Sequence, residues 1–322
     1  MNDSGRHPSS GDNAPRQLHT DINPGGMWRR LPRQLHPYIL LARFDRPIGW
    51  WLLLLPGWWI IPATADKTGS MIELMLLFLI GAVTTRAAGC VVNDLWDRRL
   101  DQRIERTASR PLAAGTISIA AAFAFLAALG LVGLGVLARL PVTAILTGLA
   151  ALPLVILYPL AKRVTWWPQA VLGLTFSWGV PLGWAAAADL SAASGVPPVG
   201  LLIIYGGSVA WVFGYDTIYA VQDMADDRTV GVRSSALGLG RYLKHGVAMA
   251  YALAILGLGT GFWLLIGPGV WLGGLALMAG HLCWQVVSLK LDDPAGALRL
   301  FQSNRDAGLI MTAGLVWSHL AV

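Results

Sequence analysis

Nine long apolar runs constrain this chain more than any other feature of its sequence. A helix needs about 20 mostly apolar residues to cross the hydrocarbon core of a bilayer. Backbone in contact with lipid must satisfy its own hydrogen bonds, so each run predicts a helix. The predicted spans are residues 47–63, 71–92, 117–137, 141–161, 169–188, 199–220, 247–267, 269–288 and 307–322. We therefore expect an all-α integral membrane protein with about nine transmembrane helices.

The charge content excludes a water-soluble enzyme with a charged surface. Only 13% of the residues are charged, whereas a typical soluble domain has about 25%. The net charge of +6 comes from Lys and Arg residues in alternate connections between the predicted spans, and the opposite side has only Lys67 and Arg139. This asymmetry predicts that the N-terminus is inside and the C-terminus outside. It also accounts for the basic balance without nucleic acid as a partner.

The first 27 residues are polar and lack the apolar stretch of a secretory signal. Asp3, Asp12 and Asp21 disfavour a mitochondrial transit peptide, because such peptides are poor in acidic residues. The predicted domains are a disordered cytoplasmic tail over 1–27, an interfacial segment over 28–46 and an intramembrane domain over 47–322. We expect a bacterial inner (cytoplasmic) membrane, with the N-terminus in the cytoplasm, rather than the mitochondrial inner membrane.

Eight of the 18 acidic residues lie in two short segments, residues 93–105 and 216–227. Each segment lies at the inner end of a predicted span, where an acid usually faces a polar cavity or an opposite charge. Side chains four residues apart share a helical face. The residues at this interval are Asn93, Asp97 and Asp101 in the first segment and Asp223 and Asp227 in the second.

Carboxylates one turn apart repel each other unless a cation lies between them. Their hard oxygen atoms suit Mg²⁺, which often binds through one or two carboxylates plus substrate phosphates. We therefore predict Mg²⁺ as the cofactor, with two ions between opposed faces. The predicted ligands are Asn93, Asp97, Asp101, Asp223 and Asp227. A solvated helix end is the alternative for either segment alone. Asp216 lies about two turns deeper than Asp223 and is predicted to face a cavity.

Basic residues accompany both acidic segments. Arg110, Lys162 and Arg163 lie at inner ends and suit the oxygen atoms of a diphosphate; ordinary positive-inside flanking is the alternative. Arg86 lies in the middle of a predicted span, seven residues before Asn93 and on the same helical face. An arginine at that depth indicates a functional site, and an internal ion pair with Asp216 is the alternative.

The sequence around these residues resembles the UbiA family of intramembrane prenyltransferases. The string GCVVNDLWDRRLD over 89–101, continued by SRPL over 109–112, resembles the first aspartate motif of that family. Its second motif is similar to YDTIYAVQDMADD over 215–227. Flanking signatures of the 4-hydroxybenzoate polyprenyltransferase branch resemble RFDRPIG over 43–49 and YPLAKR over 158–163. The resemblance extends from about residue 40 to the C-terminus.

The resemblance implies nine transmembrane helices around a central cavity and a reaction of ubiquinone biosynthesis. A polyprenyl diphosphate would ionise with the help of Mg²⁺, and the allylic cation would attack the ring of 4-hydroxybenzoate ortho to its phenol oxygen. For this reaction the predicted catalytic residues are Asp97, Asp101, Asp216 and Asp223. The predicted substrate-binding residues are Arg86, Arg110, Lys162 and Arg163. Either Arg86 or Arg163 would hold the acceptor carboxylate, and the acid that finally removes the ring proton stays open.

Three alternatives remain. A UbiA relative could act on another acceptor, such as homogentisate or haem. An ion-coupled transporter also has intramembrane acids, although transporter sites usually lie near the bilayer midplane. A CDP-alcohol phosphotransferase is disfavoured because its DGxxAR motif is missing. The expected partners are polyprenyl diphosphate, 4-hydroxybenzoate and membrane lipid.

Overall fold

The computed structural model describes residues 26–103, 107–188, 197–224 and 233–321. Within these ranges all regular secondary structure is helical, so the predicted fold class is confirmed. Apart from three short 3₁₀ turns, the helices are α1 His36–Leu41, α2 Ile48–Thr64, α3 Thr68–Asp101, α4 Ile119–Leu137, α5 Val142–Leu149, α6 Leu152–Val164, α7 Pro168–Phe176, α8 Gly179–Ala187, α9 Val199–Tyr219, α10 Ser235–Leu239, α11 Leu243–Ile266, α12 Trp271–Ser288 and α13 Pro294–Leu320.

Each predicted span contains helix in the described residues, but two spans are divided. One is interrupted between α5 and α6 and the other between α7 and α8. Pro153 lies in the first turn of α6, where its missing N–H leaves no hydrogen bond unmade. Five helical stretches are long and apolar enough to cross a membrane: Thr68–Asp101, Ile119–Leu137, Pro168–Ala187, Val199–Tyr219 and Ser235–Ile266. The count of nine therefore stays a prediction.

The described residues form two compact units. Unit 1 comprises the described residues up to Arg46 together with Gly89–Leu126, and unit 2 comprises Pro47–Ala88 and the described residues from Ala127 onward. The sequence predicted one intramembrane domain over 47–322, and these domain bounds stay a prediction. Residues 1–25, which make up most of the expected tail, lie outside the described part of the chain.

Close helix contacts organise unit 2, because two of its helices meet through glycines. A Cβ atom on Gly207 of α9 would lie 2.8 Å from the backbone nitrogen of Leu258 on α11. A Cβ atom on Gly257 or Gly261 of α11 would likewise lie 2.8 Å from backbone atoms of α9. The absence of side chains permits this approach. Both glycines of α11 are therefore packing residues.

A buried polar network joins four helices of unit 2. Asn304 on α13 accepts hydrogen bonds through Oδ1 from Trp211 Nε1 at 3.0 Å and from the Tyr251 hydroxyl at 3.3 Å. The single proton of this hydroxyl is shared with Gln285 Oε1, the nearer acceptor, at 2.7 Å. Buried polar groups are costly unless they are paired. The network fixes Trp211, whose ring contacts that of Tyr215 at a centroid distance of 4.9 Å, one turn further along α9.

The outward surfaces of the helices are apolar. Large side chains exposed over more than half of their area include Leu131, Ile156, Leu256, Leu277 and Trp317. Apolar surface on this scale would be unfavourable in water, and it suits contact with lipid tails. The exposed apolar faces therefore agree with a chain embedded in a membrane.

Candidate active site

The first acidic motif lies on the last turns of α3, in unit 1. Asn93 is exposed and Asp97, one turn further on, is half-buried. Asp94 and Asp101 are almost completely buried, with 1% and 4% of their surface exposed. Arg98 and Arg99 lie in the last turn, where basic side chains are favourable because the C-terminal end of the helix dipole is negative. Two of the predicted metal ligands, Asn93 and Asp97, are thus accessible on the surface of the helix. The third, Asp101, is buried.

Arg110 binds the buried acids. Its Nη1 lies 3.1 Å from Oδ1 and 3.0 Å from Oδ2 of Asp101, and 3.5 Å from Oδ1 of Asp94. The segment that carries Arg110 is fixed beside α3 by side chains of the helix, since Arg98 Nε donates to the Leu112 carbonyl at 3.2 Å. The structure therefore brings together two predicted site residues, Asp101 and Arg110, as an ion pair.

Asp94 has a second arginine partner that sequence reasoning missed. Arg43 Nη2 donates to both carboxylate oxygens of Asp94, at 2.7 and 3.0 Å. The available signals were the RFDRPIG string, which begins at Arg43, and the position of Asp94 beside Asn93 on a different helical face. Neither signal names the partner, because 51 residues separate Arg43 from Asp94.

Asp97 differs from its neighbours because it forms no hydrogen bond or ion pair with any described residue. Its carboxylate and the amide of Asn93 offer hard oxygen atoms one helical turn apart, and these are donors that Mg²⁺ prefers. Over the ranges that the structure describes, no three Asp, Glu, His or Cys side chains cluster closely enough to hold a metal by themselves.

The second acidic motif lies in unit 2, where α9 ends at Tyr219. Asp216 is half-buried in the last turn of this helix, and Asp223 is half-buried in the turns that follow. Asp227, the remaining predicted ligand, lies outside the described residues. Lys162 and Arg163 lie on α6, but their side chains are likewise outside the described part. The structure therefore leaves the roles of these five residues as predictions.

Arg86 lies on the part of α3 that belongs to unit 2. It is half-buried on α3 and forms no hydrogen bond or ion pair with any described residue, so the alternative pairing with Asp216 is not formed. A Cβ atom on Gly49 of α2 would lie only 2.7 Å from its Nε. Glycine at that position thus leaves room for the guanidinium group.

Tyr215 on α9 has a hydroxyl that donates no hydrogen bond to any described residue. Its ring is buried against Trp211 and Phe301. Its hydroxyl is buried without a hydrogen-bond partner among the described residues. Sequence reasoning assigned no role to Tyr215, although it begins the second motif. Unit 2 thus contains two donors without a hydrogen-bond partner among the described residues, the Arg86 guanidinium and the Tyr215 hydroxyl.

The sequence pattern of the UbiA prenyltransferase family matches residues 48–310, which is most of the chain. The chain belongs to this family. A rat protein named 4-hydroxybenzoate polyprenyltransferase, mitochondrial, is 41% identical to it over 98% of this chain and 83% of the rat protein. A Saccharomyces cerevisiae protein of the same name is 39% identical over 90% of this chain and 78% of its own length.

Solved structures show the same fold. The apo structure of a UbiA homologue from Aeropyrum pernix is 25% identical, with a TM-score of 0.64 over 89% of this chain and 99% of that chain. A UbiA homologue from Archaeoglobus fulgidus, bound to GPP and Mg²⁺, is 16% identical, with a TM-score of 0.58 over 89% of this chain and 100% of that chain. The second likeness is evidence for the fold alone.

The relatives correct one expectation. Both the rat and the yeast protein are named as mitochondrial, so the expected bacterial inner membrane is wrong. The Lys and Arg asymmetry shows which connections share a side, but it does not distinguish one membrane from another. The three aspartates of the tail were a compositional signal only, and composition was too weak to decide the compartment.

Proposed function

We propose that this enzyme transfers a polyprenyl group from polyprenyl diphosphate to the ring of 4-hydroxybenzoate, in ubiquinone biosynthesis. The observation that carries the proposal is the match to the rat 4-hydroxybenzoate polyprenyltransferase over 98% of this chain. The carbon–oxygen bond to the diphosphate breaks, and the ring carbon ortho to the phenol oxygen bonds to the allylic carbon. The ring then loses a proton, which restores its aromaticity.

The donors of the two motifs fit a divalent cation. Asn93 and Asp97 of unit 1 would hold Mg²⁺, as would Asp223 of unit 2, with Asp101 and Asp227 as further candidate ligands. When bound, the metal neutralises charge that develops on the leaving diphosphate. A UbiA homologue of the same fold, from Archaeoglobus fulgidus, holds GPP and Mg²⁺ in its own structure. The three ligands named first are chosen because each is exposed or half-buried.

Cationic side chains bind the two anionic substrates. Arg110 would contact diphosphate oxygens from its position at Asp101, and Lys162 and Arg163 would contact the same group. Arg86 would bind the acceptor carboxylate, because it is a half-buried guanidinium group without an ion pair among the described residues. A carboxylate that leaves water needs such a partner, and the planar guanidinium can bind both oxygens. Asp216 is the candidate acceptor for the ring proton.

The proposed location is the mitochondrial inner membrane, with the enzyme crossing it several times. The mitochondrial relatives support this location. Apolar helix walls would accommodate the isoprenoid tail and keep water away from the allylic cation.

The direct test uses membranes that carry this chain. They are supplied with Mg²⁺, 4-hydroxybenzoate and polyprenyl diphosphates of several chain lengths, and the products are identified by mass spectrometry. We expect a prenylated 4-hydroxybenzoate. Prenylation of homogentisate or haem alone would instead identify a family member with another acceptor, and the absence of any prenylated product would overturn the proposal.

Gly49→Ala is expected to raise the KM for 4-hydroxybenzoate by about tenfold, on the order of one charge-assisted hydrogen bond. The added Cβ would lie 2.7 Å from Arg86 Nε, so the flexible side chain must move. Binding that is lost equally from ground and transition states should leave kcat nearly unchanged. Steady-state kinetics with each substrate varied in turn measures the effect.

The matched control is Gly130→Ala, because a Cβ atom at this α4 glycine meets no neighbouring atom within 4 Å. Arg86→Lys should raise the same KM as Gly49→Ala, because the lysine keeps the charge but loses the planar fork. An unchanged KM for 4-hydroxybenzoate in both Gly49→Ala and Arg86→Lys would contradict the assignment of Arg86 to the acceptor.

A further inference from the structure

Arg43 adopts a backbone conformation that normally belongs to glycine. It has φ 59° and is the one non-glycine at positive φ among the described residues. It directly follows the C-terminal cap of α1. Phe44 N donates to the Ile39 carbonyl at 2.9 Å, and Arg43 N donates to the Leu40 carbonyl at 3.2 Å. This pair of bonds is the Schellman motif, in which glycine is preferred because a Cβ atom is unfavourable there.

The side chain of Arg43 explains why arginine is found at this position. Its Nη1 donates to the Leu40 carbonyl at 2.8 Å. Its Nη2 binds both carboxylate oxygens of Asp94. Strained backbone persists where the surrounding contacts hold it, and such positions are frequently functional. The strain at Arg43 therefore coincides with a contact to the first aspartate motif.

Arg43 is the first of four charges that alternate in sign, and Arg110, the proposed diphosphate-binding residue, is the third. Arg43 pairs with Asp94, Asp94 lies 3.5 Å from Arg110, and Arg110 lies 3.0 Å from Asp101. Arg110 is thus closer to Asp101 than to Asp94, and the Asp94 carboxylate already pairs with Arg43. A buried carboxylate that loses its partner is strongly unfavourable. Without Arg43, the Asp94 carboxylate would attract Arg110 away from Asp101.

We propose that Arg43 is a positioning residue: by neutralising Asp94, it leaves Arg110 beside Asp101, where Arg110 binds the diphosphate. This inference rests on the proposed function, because that proposal assigns Arg110 to the diphosphate. The proposal assigns a role to Arg43, the first residue of the RFDRPIG string. It also gives Asp94 the role of positioning Arg110 and not of binding the metal.

The test replaces Arg43 by glycine, which suits the positive φ and so preserves the turn. The Kd for geranyl diphosphate is measured on the purified full-length chain with Mg²⁺ present and no acceptor. We expect Arg43→Gly to raise this Kd about tenfold, on the scale of a charge-assisted hydrogen bond. Arg33→Gly removes an equally basic but exposed side chain of unit 1 and should leave the Kd within twofold.

A double variant separates positioning from support of the fold. In Arg43→Gly with Asp94→Asn, the unpaired carboxylate is gone, so Arg110 should return to Asp101 and the Kd should recover to within about threefold of wild type. A purely structural role predicts the reverse, since two lost contacts would weaken the enzyme further. A wild-type Kd for Arg43→Gly, or no recovery in the double variant, would overturn the inference.

The readout stands apart from the proposed reaction because it needs no acceptor. If the wild-type chain binds geranyl diphosphate but does not prenylate 4-hydroxybenzoate, the proposed acceptor is wrong, and the Kd series still decides the role of Arg43. If the wild-type chain does not bind the diphosphate, both proposals fail.

Discussion

Asp97→Ala is expected to lower kcat for prenylation by about 10³-fold, because a metal ligand that stabilises charge on the leaving group is lost. The fold should be preserved, since Asp97 is half-buried and forms no hydrogen bond or ion pair with any described residue. Alanine is also the most favourable residue in a helix. Product formation in membranes, normalised to the amount of folded enzyme, measures the change.

The matched control is Asp306→Ala. Asp306 on α13 is half-buried like Asp97 and pairs with Arg305 at 2.7 Å. Because 48% of the Asp306 side chain is exposed, this ion pair contributes little to stability. This variant should retain wild-type kcat. If Asp97→Ala keeps more than about a tenth of the wild-type kcat while it remains folded, Asp97 does not hold the metal in the manner proposed.

The helical architecture is largely predictable from this sequence, and the reason is local. An apolar run in lipid must form helix, and every predicted span contains helix in the described residues. The breaks between α5 and α6 and between α7 and α8 were not predicted. Apolar composition continues through each break, so hydropathy alone gives no sign of where the hydrogen-bond ladder is interrupted.

The candidate site was predictable where it depends on helical spacing. Asn93 and Asp97 occupy successive turns of α3 because residues four apart share a face. Contacts between distant segments were not predictable in this way. The pairing of Arg43 with Asp94 depends on a left-handed residue after α1, and the space beside Arg86 depends on which α2 residue is nearest. Such contacts follow from tertiary packing, which spacing along the chain does not encode.

Removal of divalent metal is the second prediction with a large expected effect. Excess EDTA should reduce prenylation of 4-hydroxybenzoate to background, and added Mg²⁺ or Mn²⁺ should restore it. The reason is that a divalent metal would stabilise the charge that develops on the leaving diphosphate. Product is measured at fixed substrate concentrations while the free metal concentration is varied. Full activity in excess EDTA would contradict the metal proposal.

Asp97→Glu connects this metal requirement to one residue. The variant keeps the carboxylate but moves it by one methylene, so it should bind the metal less well without abolishing the reaction. We expect the Mg²⁺ concentration for half-maximal activity to rise about tenfold, with activity recovered at saturating metal. Asp306→Glu changes a half-buried carboxylate on α13 by the same methylene and should leave that concentration unchanged. A loss of activity in Asp97→Glu that no metal concentration restores would instead assign Asp97 a role in the chemical step, apart from metal affinity.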